Sequence, residues 1–476
     1  MSRADRSATT GADTSRRAHR VVVVGAGLTG LATAWRVRDD VEVTVLEAAD
    51  RVGGEIHTVP LAGTRFDVGA DAFLARQPEA ERLARDAGFG DDDLVAPASG
   101  QVQLWIDGRL RPLPDGTVLG APTDPLAVAR SGVLGPVALA RAAIEPLLPR
   151  RHSVGDRSVA ELIGERFGRD VVDRMVEPLL GGVYAGHSDR LSAQMAAAPV
   201  WAVAQEHRSL TIGLARRRAA MEDDARPVFL TLRGGLGRLV DRLADELGPR
   251  VRTRASVTSI SRDGGTWRVA TADGARHGAD TLVLAVPAPV AAELLAPVSA
   301  EAAREFAGIP TASVGVVALA YPRPAGGGPQ GSGVLVPPTE GRTVKAMTFA
   351  SNKWPHHAEH GRFLLRASVG RIDDDRALAW EDEELVSRVD GEVREMTGLV
   401  GPPVEHHVQR WWDGLPQHEV GHRARIDRIH HALRQDAPSL FVGGAALDGL
   451  GLAARARDAA RLAHEVRFAA GQVPAA

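Results

Sequence analysis

The chain has 476 residues, with 57 Lys and Arg against 60 Asp and Glu, a formal net charge of −3 and no cysteine. That balance argues against a dedicated nucleic-acid binder, and the missing thiol excludes disulfides, thiolate metal sites and cysteine-linked cofactors. With 44% hydrophobic and 25% charged residues, this length fits a globular chain of two or three domains. Only Lys345 and Lys353 are lysines, which reads as coding bias plus solubility.

The first twenty residues are polar and rich in Arg, Ser and Thr, so residues 1–18 are expected to be a disordered tail. Residues 21–24 are all valine and enter Gly25-Ala26-Gly27-Leu28-Thr29-Gly30. Residues 31–37 have helical spacing, and residues 41–46 alternate and lead into Glu47 and Ala48. Strand, G-x-G-x-x-G, helix, strand and acid together make a dinucleotide-binding unit. Gly25 permits the tight turn, Gly27 lets a pyrophosphate approach the backbone, and Gly30 lets helix and strand pack closely. Glu47 suits ribose hydroxyls and repels a 2′-phosphate, which disfavours NADP. Arg51-Val52-Gly53-Gly54 follows too soon for another helix and suits a second approach to the same diphosphate. At these residues the sequence resembles the flavin-dependent amine oxidase superfamily, whose first motif is this unit extended by R-x-G-G.

Farther along, residues 66–74 read as a strand entering a turn at Gly69, and residues 83–88 as a helix ending at glycine. Residues 112–204 are helical and punctuated by proline. Within them, 132–149 is the most apolar window, yet Arg141, Glu145 and three prolines make it a buried helix pair rather than a membrane span. Residues 229–247 read as strand, Gly234-Gly235 turn and amphipathic helix. Strands are expected at 251–260, 266–271, 281–286, 314–320, 333–336, 343–349, 363–369 and 439–442, with helices at 382–397 and 453–467. Strands from the start, middle and end would share one sheet, and 322–333 would be an exposed hairpin tip.

Several polar clusters read as structural. His356, His357 and His360 form H-H-x-x-H, but Pro355 and the lack of a following H-E-x-x-H glutamate favour a polar turn over zinc. His406-His407 and His430-His431 would each straddle a strand, and Arg216-Arg217-Arg218 a solvated helix face. No metal site is expected.

Further blocks sharpen the resemblance. They are Glu177-Pro178-Leu179-Leu180-Gly181-Gly182-Val183-Tyr184-Ala185-Gly186, Leu232-Arg233-Gly234-Gly235-Leu236, Asn352-Lys353-Trp354-Pro355-His356, Ala367-Ser368-Val369-Gly370-Arg371 and the stretch 415–422. With Gly443 and Leu447-Asp448-Gly449-Leu450-Gly451-Leu452, they are similar to the bacterial porphyrinogen oxidases of the heme pathway. The chain departs from that family at Gly69-Ala70-Asp71-Ala72-Phe73, where Pro and Ser are usual at 70 and 72, at His418 for tyrosine and at Ala453 for proline.

The resemblance implies an α/β fold: an FAD-binding Rossmann-like domain of the GR2 type, a mixed α+β substrate domain and a helical subdomain. The first would combine 19–82, 226–290 and 418–470, the second 83–105, 205–225 and 291–417, and the third 106–204. It implies noncovalent FAD held by Gly25, Ala26, Gly27, Leu28, Thr29, Gly30, Glu47, Ala48, Arg51, Gly53, Gly54, Gly69, Ala70, Asp71, Ala72, Val257, Gly443, Leu450, Gly451 and Leu452. Trp411 would be an aromatic wall by the flavin and Arg76 a residue of the substrate entrance. The N–H groups of 449–452 would meet charge developing near flavin N1. The implied reaction is six-electron oxidation of coproporphyrinogen III by oxygen, giving hydrogen peroxide, with protoporphyrinogen IX or another amine-oxidase or desaturase substrate as alternatives. No single catalytic acid or base is implied. The expected partners are the porphyrinogen, molecular oxygen and a transient ferrochelatase-like protein, without nucleic acid. The expected setting is cytoplasmic, with at most peripheral membrane contact.

Overall fold

A computed structural model describes residues 18–149, 155–222, 226–359 and 361–472. The expected tail, apart from Ala18, and His360 therefore lie outside the described residues. The valine strand Arg20–Val24 forms the middle of a parallel five-stranded sheet. Its spatial order is Val251–Arg252, Glu42–Leu46, Arg20–Val24, Thr281–Leu284 and Leu440–Val442, so strands far apart in the chain pair in register. Unbroken apolar strands such as Thr281–Leu284 are buried throughout because both faces of the sheet are covered. One face packs against helices Leu28–Val37, Gly237–Leu247 and Leu452–Ala469. The other packs against the three-stranded sheet Val257–Asp263, Thr266–Thr271 and Arg276–Ala279, and against helices Ala288–Leu295, Ala300–Ala307 and His422–Asp436.

A second sheet has seven strands, in the order Glu405–Pro416, Thr311–Pro322, Arg362–Val369, Val344–Thr348, Gly333–Leu335, Val102–Ile106 and Arg109–Pro112. Helix Asp382–Thr397 covers one face, and the hairpin Thr58–Leu61/Thr64–Asp67 meets the other. The third group is helical, from Pro125–Ser131 to Leu210–Glu222. Buried Glu145 organises it. Its carboxylate accepts from Arg166 Nε at 2.8 Å, Ser209 Oγ at 2.6 Å and the N–H groups of Leu210 and Thr211 at 2.9 and 3.1 Å.

Several expectations are corrected. Residues 322–333 are not a hairpin tip, because the strands they join are separated in the sheet by Arg362–Val369 and Val344–Thr348. His430 and His431 lie on helix His422–Asp436, not on a strand, while His406 and His407 do lie on strand Glu405–Pro416. His356 and His357 belong to the short helix Pro355–Ala358 and are buried, not exposed on a polar turn. The first helix after Gly69 begins at Pro78, not 83, since proline suits the first helical turn. The 251–260 stretch is two strands, Val251–Arg252 and Val257–Asp263. The 132–149 window is not wholly buried: Val137 is 85% and Leu147 79% exposed.

Two parts of the domain division also differ. Leu210 and Leu214 pack in the helical core, not with the substrate sheet. Leu294, Leu295, Ala302 and Phe306 pack in the core beside the five-stranded sheet. In both cases an apolar helix face followed the nearest core.

Candidate cofactor cleft

The carboxyl end of the five-stranded sheet opens into a cleft of about 400 Å³. Ligands of open α/β sheets bind in such a crevice. Of the expected residues, Gly25, Gly27, Leu28, Thr29, Glu47, Ala48, Gly54 and Val257 line it. Gly25 has φ +97°, and a Cβ there would lie 2.4 Å from the Ala285 carbonyl oxygen. Gly30 packs so tightly that a Cβ would meet Gly25 O at 2.0 Å. A Cβ on Gly27 would meet nothing within 4 Å, so the backbone there is bare toward the cleft. Gly27 caps helix Leu28–Val37 without a side-chain acceptor, and the buried Thr29 Oγ1 has no hydrogen-bond partner. Free helix N–H groups, a bare glycine and an orphaned hydroxyl fit an anionic diphosphate.

Glu47 is fixed from both sides, accepting from Ala26 N at 2.7 Å and Ala49 N at 2.8 Å. Its backbone pairs with Arg252 and Ala255, which brings Ala255, Ser256 and Val257 onto the same wall. Gly53 N donates to Ala26 O at 2.8 Å, closing the R-x-G-G loop on the first turn. Arg51 folds onto its own loop, donating to Val52 O at 3.0 Å and Gly54 O at 2.8 Å, and lies 5.4 Å from the Trp411 ring centroid. Arg51 does not line the cleft.

Gly69, Ala70, Asp71, Ala72 and Trp411 form a neighbouring group outside the cleft lining. Trp411 Nε1 donates to Val68 O at 3.2 Å, and a Cβ on Gly69 would strike Glu55 O at 1.8 Å. The Asp71 carboxylate is taken up by the protein: Arg366 Nη2 approaches to 2.7 Å, Lys353 Nζ to 3.1 Å and Trp354 Nε1 to 3.3 Å. Burial alone would push that carboxyl up, but Arg366 and Lys353 hold it below the ordinary carboxylate range.

At the chain's end, Gly443 backs onto Asp458, which accepts from Gly444 N at 2.7 Å, and Gly444, Ala445 and Ala446 reach the cleft in its place. Leu450 and Gly451 lead into helix Leu452–Ala469, whose Gly451 cap has no side-chain acceptor; Leu452 itself is buried in the core. His418 Nε2 donates to Ala445 O at 2.9 Å and His422 Nε2 to Leu447 O at 3.1 Å, the two rings stacked at 4.4 Å. Burial, with His418 adjacent, pushes His422 down to about 3, so both imidazoles brace this loop as neutral donors.

Motif reading missed Glu55, Thr311, Asp413 and Arg455, which also line the cleft. Glu55 directly follows R-x-G-G and was within reach of the motif; the others carry no local signal. Ala185, Ala312, Val314 and Ile372 form an apolar seam with Trp411 where the helical group meets the seven-stranded sheet. Among the described residues no three His, Asp or Glu converge on a possible metal site, and no helix is long and apolar enough to cross a membrane.

Residues 28–463 match the model of the flavin containing amine oxidoreductases. A coproporphyrinogen III oxidase of Mycobacterium tuberculosis (strain ATCC 25618 / H37Rv) is 37% identical over 91% of this chain and 94% of its own length. The coproporphyrinogen III oxidase of Bacillus subtilis (strain 168) is 32% identical with the same coverage. The solved structure of a provisionally assigned protoporphyrinogen oxidase from Exiguobacterium sp. 255-15 matches with a TM-score of 0.85 at 30% identity, covering 94% of this chain and 99% of that one.

Proposed function

Because the chain belongs to the flavin-containing amine oxidoreductase family, an FAD-dependent class of oxidoreductases, we propose that it oxidises coproporphyrinogen III to coproporphyrin III. The observation that carries this reading is the match, over more than nine-tenths of both chains, to proteins named for that activity. Six electrons and six protons leave the macrocycle while three molecules of oxygen become three of hydrogen peroxide. FAD, when bound, supplies the two-electron chemistry, and the protein supplies position and electrostatics.

In this reading the diphosphate lies along Gly25, Ala26, Gly27, Leu28, Thr29 and Gly30, with Gly53 and Gly54 closing over it. Glu47 accepts from the ribose, and Ala48 and Val257 flank the adenine. Gly69, Ala70, Trp411 and the turn at Leu450, Gly451 and Leu452 border the flavin end. Arg76 lies toward the entrance for the macrocycle. The protein works in the cytoplasm with at most peripheral membrane contact, and hands product to a ferrochelatase-like partner.

Coproporphyrinogen III carries four propionates and protoporphyrinogen IX two. Each additional shielded carboxylate contact would favour the former by about 1–3 kcal/mol, roughly 5- to 150-fold. Anaerobic flavin reduction and kcat/KM for both porphyrinogens, in one detergent-free buffer, test the assignment. Preference for coproporphyrinogen III is expected. Preference for protoporphyrinogen IX would replace it with the second reading, which the Exiguobacterium match favours.

A further inference from the structure

Arg455 is the one cation among the described residues lining the cleft, against three carboxylates, Glu47, Glu55 and Asp413. It sits in the first turn of helix Leu452–Ala469, and its side chain is 8% exposed. Its Nη1 lies 2.6 Å from Glu55 Oε2, while its Nε is buried without a hydrogen-bond partner. Glu55 follows Gly54, whose Cβ position is 3.3 Å from Gly27 Cα, so the pair stands beside the bare turn of the first helix. Arg51, the cation that the motif offers, is spent on its own loop carbonyls and the Trp411 face.

We propose that Arg455 is the cationic ligand of the dinucleotide diphosphate, held in place by Glu55. A diphosphate brings about two negative charges into a cleft whose carboxylates already outnumber its cations. The helix that begins after Gly27 offers about half a unit of positive charge, which leaves a deficit that a guanidinium reduces. Arg455 has the geometry for it: one nitrogen is anchored on Glu55 and the orphaned Nε lacks an acceptor. Glu55 is then a positioning residue, and its own charge opposes the ligand it serves.

The inference rests on FAD as the cofactor, so the wild-type protein, stripped of flavin and titrated with FAD and with riboflavin, is the control for that premise. FAD saturation of the wild type upholds the premise whatever the variants do. Arg455→Met should weaken FAD binding by about tenfold or more, leave riboflavin affinity within twofold and flatten the dependence of FAD affinity on salt. Glu55→Gln should leave FAD affinity unchanged or tighten it. The double variant Glu55→Gln/Arg455→Met removes both partners, which avoids a lone buried charge, and should melt near the wild type yet keep the FAD defect. A double variant that binds FAD like the wild type, or Arg455→Met weakening FAD and riboflavin alike, would make the pair structural and overturn the proposal.

Discussion

At the scale of single residues, the three glycines of the first turn are not equivalent. Gly27 faces open cleft, whereas Gly30 abuts Gly25 O. Gly27→Val should therefore leave apoprotein melting within a few degrees of wild type while abolishing FAD binding, since the side chain fills the space a diphosphate needs. Retained flavin in that variant would refute the cleft assignment. Lys345 is a different case. It is 3% exposed and has no side-chain hydrogen bond or ion pair among the described residues; burial, with Arg371 adding to it, pushes its amine down to about 7 from 10.5. The folded state thus binds this proton less tightly than the unfolded state does. Between pH 10.5 and 7 the group costs stability as pH falls, by up to about 1.4 kcal/mol per unit, and below about 7 the cost is constant. Lys345→Met should raise the urea midpoint at pH 7 and progressively less toward pH 9.5. A lowered midpoint at pH 7 would show that the amine has a stabilising partner.

At the scale of elements, the segment from Gly69 to Ala72 is latched to the seven-stranded sheet by charge. Arg366 on strand Arg362–Val369 and Lys353 on the short helix Ala350–Lys353 converge on Asp71, and Arg366 Nη1 also donates to Gly69 O at 2.5 Å. Removing one member of a buried ionic cluster strands the others, at about 3–5 kcal/mol. Asp71→Asn should lower the urea midpoint by that equivalent, and adding Lys353→Met in that background should cost less than Lys353→Met alone. Additive losses would mean that the contacts are independent. This latch also marks where sequence reading stopped. Asp71 stands in a recognisable block, but that its partners lie about three hundred residues away is a matter of pairing between strands, which no local pattern encodes. The same holds for 322–333: its Gly and Pro content reads as a turn, yet whether a turn joins neighbours or crosses over two strands depends on sheet order. Local signals did find four of the five parallel strands, the Gly25 turn and helix Asp382–Thr397, because valine runs, glycines and apolar spacing act over a few residues; the fifth, Val251–Arg252, merges in the sequence with the strand that follows it.

At the scale of the whole molecule, the five-stranded sheet cannot be built from either half of the chain. Arg20–Val24 and Glu42–Leu46 come from the first 50 residues, while Val251–Arg252, Thr281–Leu284 and Leu440–Val442 all lie beyond 250. Helices Leu28–Val37 and Leu452–Ala469 share one core, in which Leu31 packs with Leu462 and Ala463. Gly27 and Leu28 at the start of the first helix and Arg455 on the last both line the cleft, so the cleft forms only when the two chain ends meet. Strands without partners expose unpaired backbone and apolar faces, which favours aggregation over independent folding. Fragments 1–224 and 225–476, expressed separately, should each be insoluble or unable to bind FAD. Expressed together, they should co-purify as a noncovalent pair that binds FAD, because every strand of the sheet regains its neighbour. Gel filtration with flavin absorbance reads the result directly. A second fragment that folded alone and bound FAD would mean that the Gly25–Gly30 turn is dispensable, and the cleft would have to be assigned to the remaining strands.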